Sequence, residues 1–171
     1  MSPLARALFA ILLSFFAQVS AAQQASNFEH AASATQSVAA PYFAAYIARD
    51  WHRLEPLLAD TGRFSDPTAL PVFGVVLHEG KVAALKNFRD GYASITHMAF
   101  HQSRMFFSGQ HAVFEGTLDW TLSLGEGKHA VTKGMPFVTV LKMVNGQVVD
   151  HQDLADYAPF VAAVRKVRAG G

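Results

Sequence analysis

The second half of the chain consists of long segments rich in β-branched and aromatic residues, and short turns separate them. Each turn has β-hairpin chemistry: Ser-Gly-Gln at 108–110, Gly-Glu-Gly at 125–127 and Asn-Gly at 145–146. These features predict an antiparallel meander of four strands. Strands of about 14 residues exceed the usual length of roughly 3–10, and long strands bend. The remaining elements must therefore pack against a curved sheet whose strands lie at residues 95–107, 111–124, 129–143 and 147–154.

The first half of the chain shows helical periodicity instead. Apolar residues recur at helical spacing over 38–49, and Pro41 is tolerated there because it falls in the first turn. Helices followed by a run of strands predict an α+β fold, in which a curved antiparallel sheet wraps around N-terminal helices and forms a conical pocket. Pockets of this kind bind small molecules. The other predicted elements are helices at 51–58, 79–92 and 159–168 and short strands at 63–65 and 75–77.

The composition of the chain excludes several classes of protein. The chain has 171 residues, 51% of them hydrophobic and 16% charged, which is too apolar for a disordered protein and enough for one domain. A formal net charge of +1 provides no basic field for nucleic acid. The absence of cysteine excludes disulfides, thiolate metal sites and a cysteine nucleophile. One domain stabilised by its core alone is therefore expected.

The N-terminus has the pattern of a secretory signal peptide over residues 1–22. One arginine, Arg6, precedes an uncharged run at 7–17 that is apolar except for Ser14, and Ala21 or Ala22 suits cleavage. The run is too short for a typical membrane span, although an uncleaved anchoring helix is the alternative. We expect a mature protein exported to a periplasm or the exterior without a stable membrane anchor. Residues 23–37, rich in Ala, Ser and Gln, are predicted to form a spacer before a domain at 38–168.

Two segments resemble the nuclear transport factor 2-like, or SnoaL-like, superfamily. They are PYFAAYIARDWHRLEPLLADTGRFSDPT at 41–68 and NGQVVDHQDLADYAPF at 145–160, set in the family's order of helices, Asp-Pro loop and four long strands. The resemblance implies an α+β cone with a small-molecule pocket and often a homodimer through the sheet. The superfamily includes isomerases, cyclases, hydrolases, dehydratases and non-catalytic binders, so the fold alone does not select an activity.

The resemblance to the ketosteroid isomerase branch implies two roles. Tyr42 falls on the helix-1 tyrosine that donates to the developing oxyanion, and Asp66 falls on the Asp-Pro aspartate that moves the proton. A protonated aspartate completes the oxyanion hole in that enzyme. By residue count, Val138 takes that third position, and a valine cannot donate a hydrogen bond.

The limonene epoxide hydrolase branch implies a different set, an Asp-Arg-Asp arrangement that activates water and protonates the epoxide. Asp153 matches the aspartate of the closing strand, and Asp119 matches the aspartate two residues after the arginine. Thr117 takes the place of that arginine. Arg104 on the neighbouring strand is the candidate for supplying a cation instead.

Strand periodicity adds a His–carboxylate pair. His151 and Asp153 lie two residues apart on the closing strand and share a face with Val149, because side chains alternate along a strand. Such a pair can act as a base with its orienting group, or it can be a solvated strand end. Asp66 has a second interpretation as a loop cap, and Tyr42 has one as a core aromatic.

No cofactor and no metal ion are expected. His97, His101 and His151 lack the spacing of a helical zinc motif, and the sequence contains no phosphate-binding glycine loop. Asp119 and Thr117 belong to an alternating polar set on their strand, which faces either solvent or the pocket.

Three functional hypotheses follow. The first is an acid–base enzyme acting on a hydrophobic small molecule, of isomerase, hydrolase or dehydratase type. The second is an exported module that binds such a ligand without turnover. The third is a homodimeric interaction protein, favoured if the apolar residues Phe114, Leu118 and Trp120 face outward from the sheet.

Overall fold

The computed structural model describes residues 27–170 and shows helices packed on one face of a six-stranded sheet. Helix α1 covers residues 27–48. The other helices are α2 (Trp51–Leu54), α3 (Leu70–Phe73), α4 (Lys81–Gly91) and α5 (Ala158–Arg168), with 3-10 turns at Glu55–Leu57 and Pro67–Ala69. The strands are β1 (Leu58–Asp66), β2 (Val76–Glu79), β3 (Ile95–Ser108), β4 (His111–Gly125), β5 (Lys128–Val144) and β6 (Gln147–Ala155).

The sheet has the strand order β2-β1-β6-β5-β4-β3. Strands β3 to β6 form the predicted meander of hairpins, and β2 pairs antiparallel with β1. Strand β1 runs parallel to β6, so the sheet is mixed rather than wholly antiparallel. The predicted α+β class with a curved sheet around N-terminal helices is confirmed. Within residues 27–170, none of the helices combines the length and the apolar character that crossing a membrane requires.

The N-terminal helix begins earlier than the sequence predicts. Residues 27–36 are helical, although their Ala-, Ser- and Gln-rich composition predicted a spacer. Thr35 explains part of this difference, because it is buried and its hydroxyl donates to the carbonyl of Gly109 in the β3–β4 turn, at 2.7 Å. The predicted signal peptide, residues 1–22, and its cleavage positions lie outside the described residues.

The connection from α1 to β2 also differs from the prediction. The second helix ends at Leu54, and Pro56 lies in the 3-10 turn that follows, because proline cannot continue the backbone hydrogen bonding of an α-helix. Strand β1 then begins at Leu58, the predicted end of the helix, and not at residue 63 as the sequence predicted. Helix α3 forms one turn inside the predicted loop.

The core lies between α1 and the concave face of the sheet. Phe43 of α1 stacks on Phe114 of β4, with ring centroids 4.1 Å apart and an interplanar angle of 10°. Phe114 and Leu118 are buried, and Trp120 packs on the core. The three residues proposed as an outward apolar dimer face therefore point inward. Homodimer formation through the sheet stays a prediction.

Candidate functional site

The cone opens into a cavity of about 370 Å³ between the end of β1, helix α4 and strand β4. Its wall includes Phe64, Asp66, Tyr92 and Tyr157. A recess of about 20 Å³ lies toward α1 and β6 and contains Tyr46, Phe137 and Asp153 in its lining. The cavity and the recess share four lining residues, so the recess is the inner end of one site: Tyr92, Ile95, Trp120 and Tyr157.

Asp153 is the buried carboxylate at this inner end, with 1% of its surface exposed. Its Oδ1 accepts from the Thr139 hydroxyl at 2.5 Å and lies 3.0 Å from His151 Nε2. Its Oδ2 accepts from the Tyr46 hydroxyl at 2.5 Å. A buried charge requires such partners, because removal from water is costly unless hydrogen bonds replace the lost hydration. Both oxygens of Asp153 are thus engaged by protein groups.

His151 lies behind Asp153 and is fully buried. Its Nδ1 is 3.1 Å from the Tyr42 hydroxyl, and its Nε2 faces Asp153. A neutral imidazole has one donor and one acceptor nitrogen. Because the carboxylate of Asp153 needs a donor, Nε2 carries the proton and Nδ1 accepts from Tyr42. Tyr42 therefore orients the imidazole and is not among the residues that line the cavity or its recess.

A tyrosine relay connects Asp153 to the cavity. The hydroxyls of Tyr46 and Tyr92 are hydrogen-bonded to each other. The single proton of Tyr46 is directed to Asp153, so Tyr92 donates to Tyr46 in this arrangement. Tyr92 lines both the cavity and the recess, whereas Tyr46 lines the recess alone. The outer tyrosine of the relay thus forms part of the wall of the space where a ligand would lie.

Burial keeps the relay phenols neutral. Desolvation raises the pKa of Tyr42, Tyr46 and Tyr92 well above the ordinary tyrosine value, and the negative charge of Asp153 raises it further. Desolvation and then the hydrogen bond to Asp66 also raise the pKa of Tyr157. These phenols remain donors throughout the physiological pH range.

Asp66 is the second carboxylate of the site and is 4% exposed. Its Oδ1 caps the following 3-10 turn by accepting from the backbone N–H groups of Thr68 and Ala69, at 2.9 and 3.0 Å, and from the Thr68 hydroxyl at 2.5 Å. Its Oδ2 accepts from the Tyr157 hydroxyl at 2.6 Å. The capping and pocket interpretations of Asp66 therefore coexist, because one oxygen fixes the loop while the residue lines the cavity.

The structure does not bring Asp119 to this site. Asp119 lies on the outward face of β4, where its carboxylate accepts from Lys133 Nζ at 2.8 Å and from the Gly134 N–H at 2.9 Å. These two bonds, with His101 at 3.3 Å, lower the pKa of Asp119 well below its usual range, the Lys133 bond contributing most. Its buried neighbour on the same strand, Leu118, faces the core instead.

Val138 and Thr117 also lie on the outward face of the sheet. Their side chains do not enter the pocket, so the identity of these two residues does not remove a polar group from it. Val138 alternates with the buried residues Phe137 and Thr139, which point inward. Thr117 alternates with buried Gly116 and Leu118 on β4. The residue counts that placed Val138 and Thr117 in the pocket therefore selected the wrong face of each strand.

Arg104 does not supply a cation to the pocket. It pairs with Glu115 on the outward face, with the Arg104 Nη2 to Glu115 Oε2 distance at 2.5 Å. Neither the cavity nor its recess has a lysine or arginine among the described lining residues. The Asp-Arg-Asp arrangement of an epoxide hydrolase is thus not assembled by the described part of the chain.

Four site residues were missed by sequence reasoning: Tyr46, Tyr92, Tyr157 and Thr139. Composition carried a usable signal, because the chain has four tyrosines and all four hydroxyls bond within this network. The residues come from α1, the end of α4, β5 and the start of α5, so no local motif joins them. Among residues 27–170, no three His, Asp or Glu side chains are grouped so that they could hold a metal ion.

A family model described as SnoaL-like domain matches residues 39–151. A search of curated proteins finds no significant match.

Solved structures with the same fold carry several different descriptions. A protein described as a SnoaL-like polyketide cyclase from Shewanella denitrificans is 20% identical, with a TM-score of 0.67 over 77% of this chain and 97% of that one. A protein described as a ketosteroid isomerase from Kribbella flavida is 20% identical, with a TM-score of 0.55 over 74% and 81%. An LEH-like epoxide hydrolase of M. tuberculosis is 12% identical, with a TM-score of 0.60 over 81% and 94%.

Proposed function

The chain belongs to the SnoaL-like domain family, and from this premise we propose that it is an acid–base enzyme acting on an apolar, enolisable carbonyl compound. The observation that carries the proposal is that a carboxylate, Asp66, and a neutral phenol, Tyr92, line one apolar-walled cavity. A base that takes a proton from carbon and a donor for the resulting oxyanion are the two groups that enolisation requires.

Asp66 is the proposed base. A carboxylate has about four acceptor positions, two on each oxygen. All three capping bonds end on Oδ1, whereas Oδ2 accepts only from Tyr157, so Oδ2 keeps one acceptor position for a substrate proton. The proton moves from the substrate α-carbon to Oδ2 and returns to carbon or to another site on the substrate.

Tyr92 is the proposed oxyanion donor, the role that the family resemblance had assigned to Tyr42. Its hydroxyl rotates from Tyr46 to the substrate oxygen as negative charge develops there. Tyr46 keeps its bond to Asp153 during this change, so the buried network stays satisfied. Asp153, His151 and Tyr42 then act as positioning residues that hold Tyr46, and through it Tyr92, in place.

Deuterium uptake provides the test. Purified protein is incubated in D₂O with 2-acetylnaphthalene or its 6-carboxylate, and loss of the methyl proton signal is followed by NMR. We expect Asp66→Asn to lower the protein-dependent exchange rate by about 10²–10⁴-fold, the usual contribution of general base catalysis. Asparagine retains the capping oxygen, so the loop stays folded. Asp150→Asn is the matched control, since Asp150 lies outside the site and pairs with Arg63.

Either of two results contradicts the proposal. The first is a wild-type rate no faster than the uncatalysed exchange for both ketones, which favours ligand binding without turnover. The second is full exchange activity in Asp66→Asn. The capping bonds of Asp66 are the observation that favours the non-catalytic alternative, because they give this carboxylate a structural role that needs no substrate.

We also propose that this chemistry takes place after export. The apolar run at 7–17 and the small residues that follow it support this proposal. Fractionation of cells that express the full chain, followed by N-terminal sequencing of the mature protein, tests it. Retention of residues 1–22 in the cytoplasm would contradict it.

A further inference from the structure

A second concave surface adjoins the cone. It is a groove of about 440 Å³ between α3, α5 and the end of β4. Its floor and sides are apolar and include Phe73, Leu122, Phe160 and Val164. The remaining lining residues include two arginines of the last turns of α5, Arg165 and Arg168.

These two arginines have no carboxylate partner among residues 27–170. Three of the five other arginines of the described chain do form ion pairs: Arg63 with Asp150, Arg89 with Glu55 and Arg104 with Glu115. Arg165 and Arg168 thus place two uncompensated positive charges beside an apolar groove. An apolar surface with a cationic edge is complementary to an amphipathic anion.

The groove adjoins the cone. Phe73 and Leu122 line both the groove and the cavity, so a ligand that extends out of the cavity past these side chains would reach the groove. The two adjoining sites carry opposite charges. Asp66 and Asp153 are acidic groups of the cone, whereas Arg165 and Arg168 flank the groove. The carboxylates of the cone repel an anionic group, and the two arginines attract it.

We propose that the ligand of this protein is an amphipathic anion, with its apolar carbonyl-bearing body in the cone and its carboxylate, sulfonate or phosphate group at Arg165 and Arg168. The proposal deepens the proposed function and rests on it for the orientation of the reacting end. It identifies the two arginines as specificity-determining residues that contact the charged end and not the reacting atoms.

Two fluorescent probes of one skeleton test the charge preference. The anion is 8-anilinonaphthalene-1-sulfonate, and its neutral counterpart without the sulfonate is N-phenyl-1-naphthylamine. Binding of each is titrated at low salt to the wild type and to the double variant Arg165→Gln, Arg168→Gln. We expect the double variant to bind the anion about tenfold or more weakly, because charge-assisted bonds are lost, and to bind the neutral probe within about twofold.

The matched control removes the same number of charges elsewhere. Lys166 lies between the two arginines but does not line the groove, and Arg53 is exposed without an ion pair among the described residues. The double variant Arg53→Gln, Lys166→Gln therefore tests net charge alone, and we expect it to bind both probes as the wild type does. Circular dichroism spectra of all variants check that the fold is retained.

Unchanged binding of the anion by the arginine variant, or an equal loss for both probes, would overturn the proposal. An equal loss in the control variant would do the same, because it would reduce the effect to net charge. The binding test uses no turnover, so its failure is distinguishable from failure of the proposed enzyme. If Asp66→Asn abolishes deuterium exchange while the arginines have no effect on binding, the proposed enzyme stands and the proposed anion site at Arg165 and Arg168 is refuted.

Discussion

Alkaline pH should unfold this protein through its tyrosines. All four tyrosines of the chain bond within the site network, and burial raises the pKa of each above the ordinary value, most of all through desolvation. In the unfolded chain the same phenols ionise at a pKa of about 10. The folded state therefore binds more protons than the unfolded state above pH 10, so the free energy of unfolding falls as pH rises. Below pH 10, the contribution of the buried neutral tyrosines to the free energy of unfolding is present in full.

The magnitude of the fall in the free energy of unfolding follows from the ionisation of tyrosine in the unfolded state. At pH 11, each tyrosine that ionises only on unfolding lowers the free energy of unfolding by about 1.4 kcal/mol. Four such tyrosines together lower it by about 6 kcal/mol. A small domain has a free energy of unfolding of about 5–15 kcal/mol in total. We therefore expect cooperative unfolding to begin near pH 11.

The assay combines two signals during one pH titration. Absorbance at 295 nm reports tyrosinate, and far-ultraviolet circular dichroism reports folded structure. We expect no tyrosinate while the dichroism is native, followed by ionisation of all four phenols in the same transition that removes the secondary structure. Tyr157→Phe should show three tyrosinates and a shallower dependence of stability on pH, because one ionising group is gone.

Lysine deprotonation provides the main competing cause of alkaline unfolding. Lysine ion pairs such as Lys86 with Asp90 and Lys128 with Glu126 are exposed, and exposed pairs contribute little to stability. Repeating the titration in 1 M salt screens these pairs and should leave the transition near the same pH. Ionisation of any tyrosine near pH 10 with native dichroism would refute the reasoning.

Two further predictions concern the sheet. Gly116→Ala should lower the free energy of unfolding, measured by urea denaturation, by about 3 kcal/mol or more, because the added Cβ would lie 2.1 Å from the carbonyl oxygen of His101. A loss below about 1 kcal/mol would contradict this close approach of β3 and β4. Asp119→Asn should cost about 1 kcal/mol at pH 7 by removing the Lys133 ion pair. That pair lowers the pKa of Asp119 in the folded state. The difference in the free energy of unfolding between variant and wild type should therefore be complete above about pH 4 and shrink as pH falls further. A difference that persists unchanged at pH 2 would refute this assignment.

Local patterns in the sequence were sufficient to predict the four-stranded meander of the sheet. The turn residues at Gly109, Glu126, Gly127, Asn145 and Gly146 all adopt positive φ angles, as hairpin turns require. The residues between the turns alternate with period two. Both signals depend on neighbours in the chain, so the meander and the α+β class were predictable without knowledge of packing.

Tertiary structure decided which face of each strand points inward. Alternation defines two faces but does not identify the buried one, and a β-bulge adds a residue that exchanges the faces. The shift between Lys142 and Met143 in the β5–β6 pairing shows this effect, since it leaves Val148, and not the predicted Val149, buried in line with His151. Val138 likewise lies on the outward face, because a residue count from the resemblance does not establish which way a side chain points.

The sequence by itself thus predicted the four strands of the meander, their turns and the second half of the first helix, and it left Asp66 with both a pocket and a capping interpretation. Only the tertiary structure brought Tyr46, Tyr92 and Tyr157 to the carboxylates, because they come from helices far apart in the chain. The parallel pairing of β1 with β6 places Asp66 and Asp153 in one cone. Contacts of this kind depend on how the whole sheet closes over α1, and no spacing within a single segment encodes them.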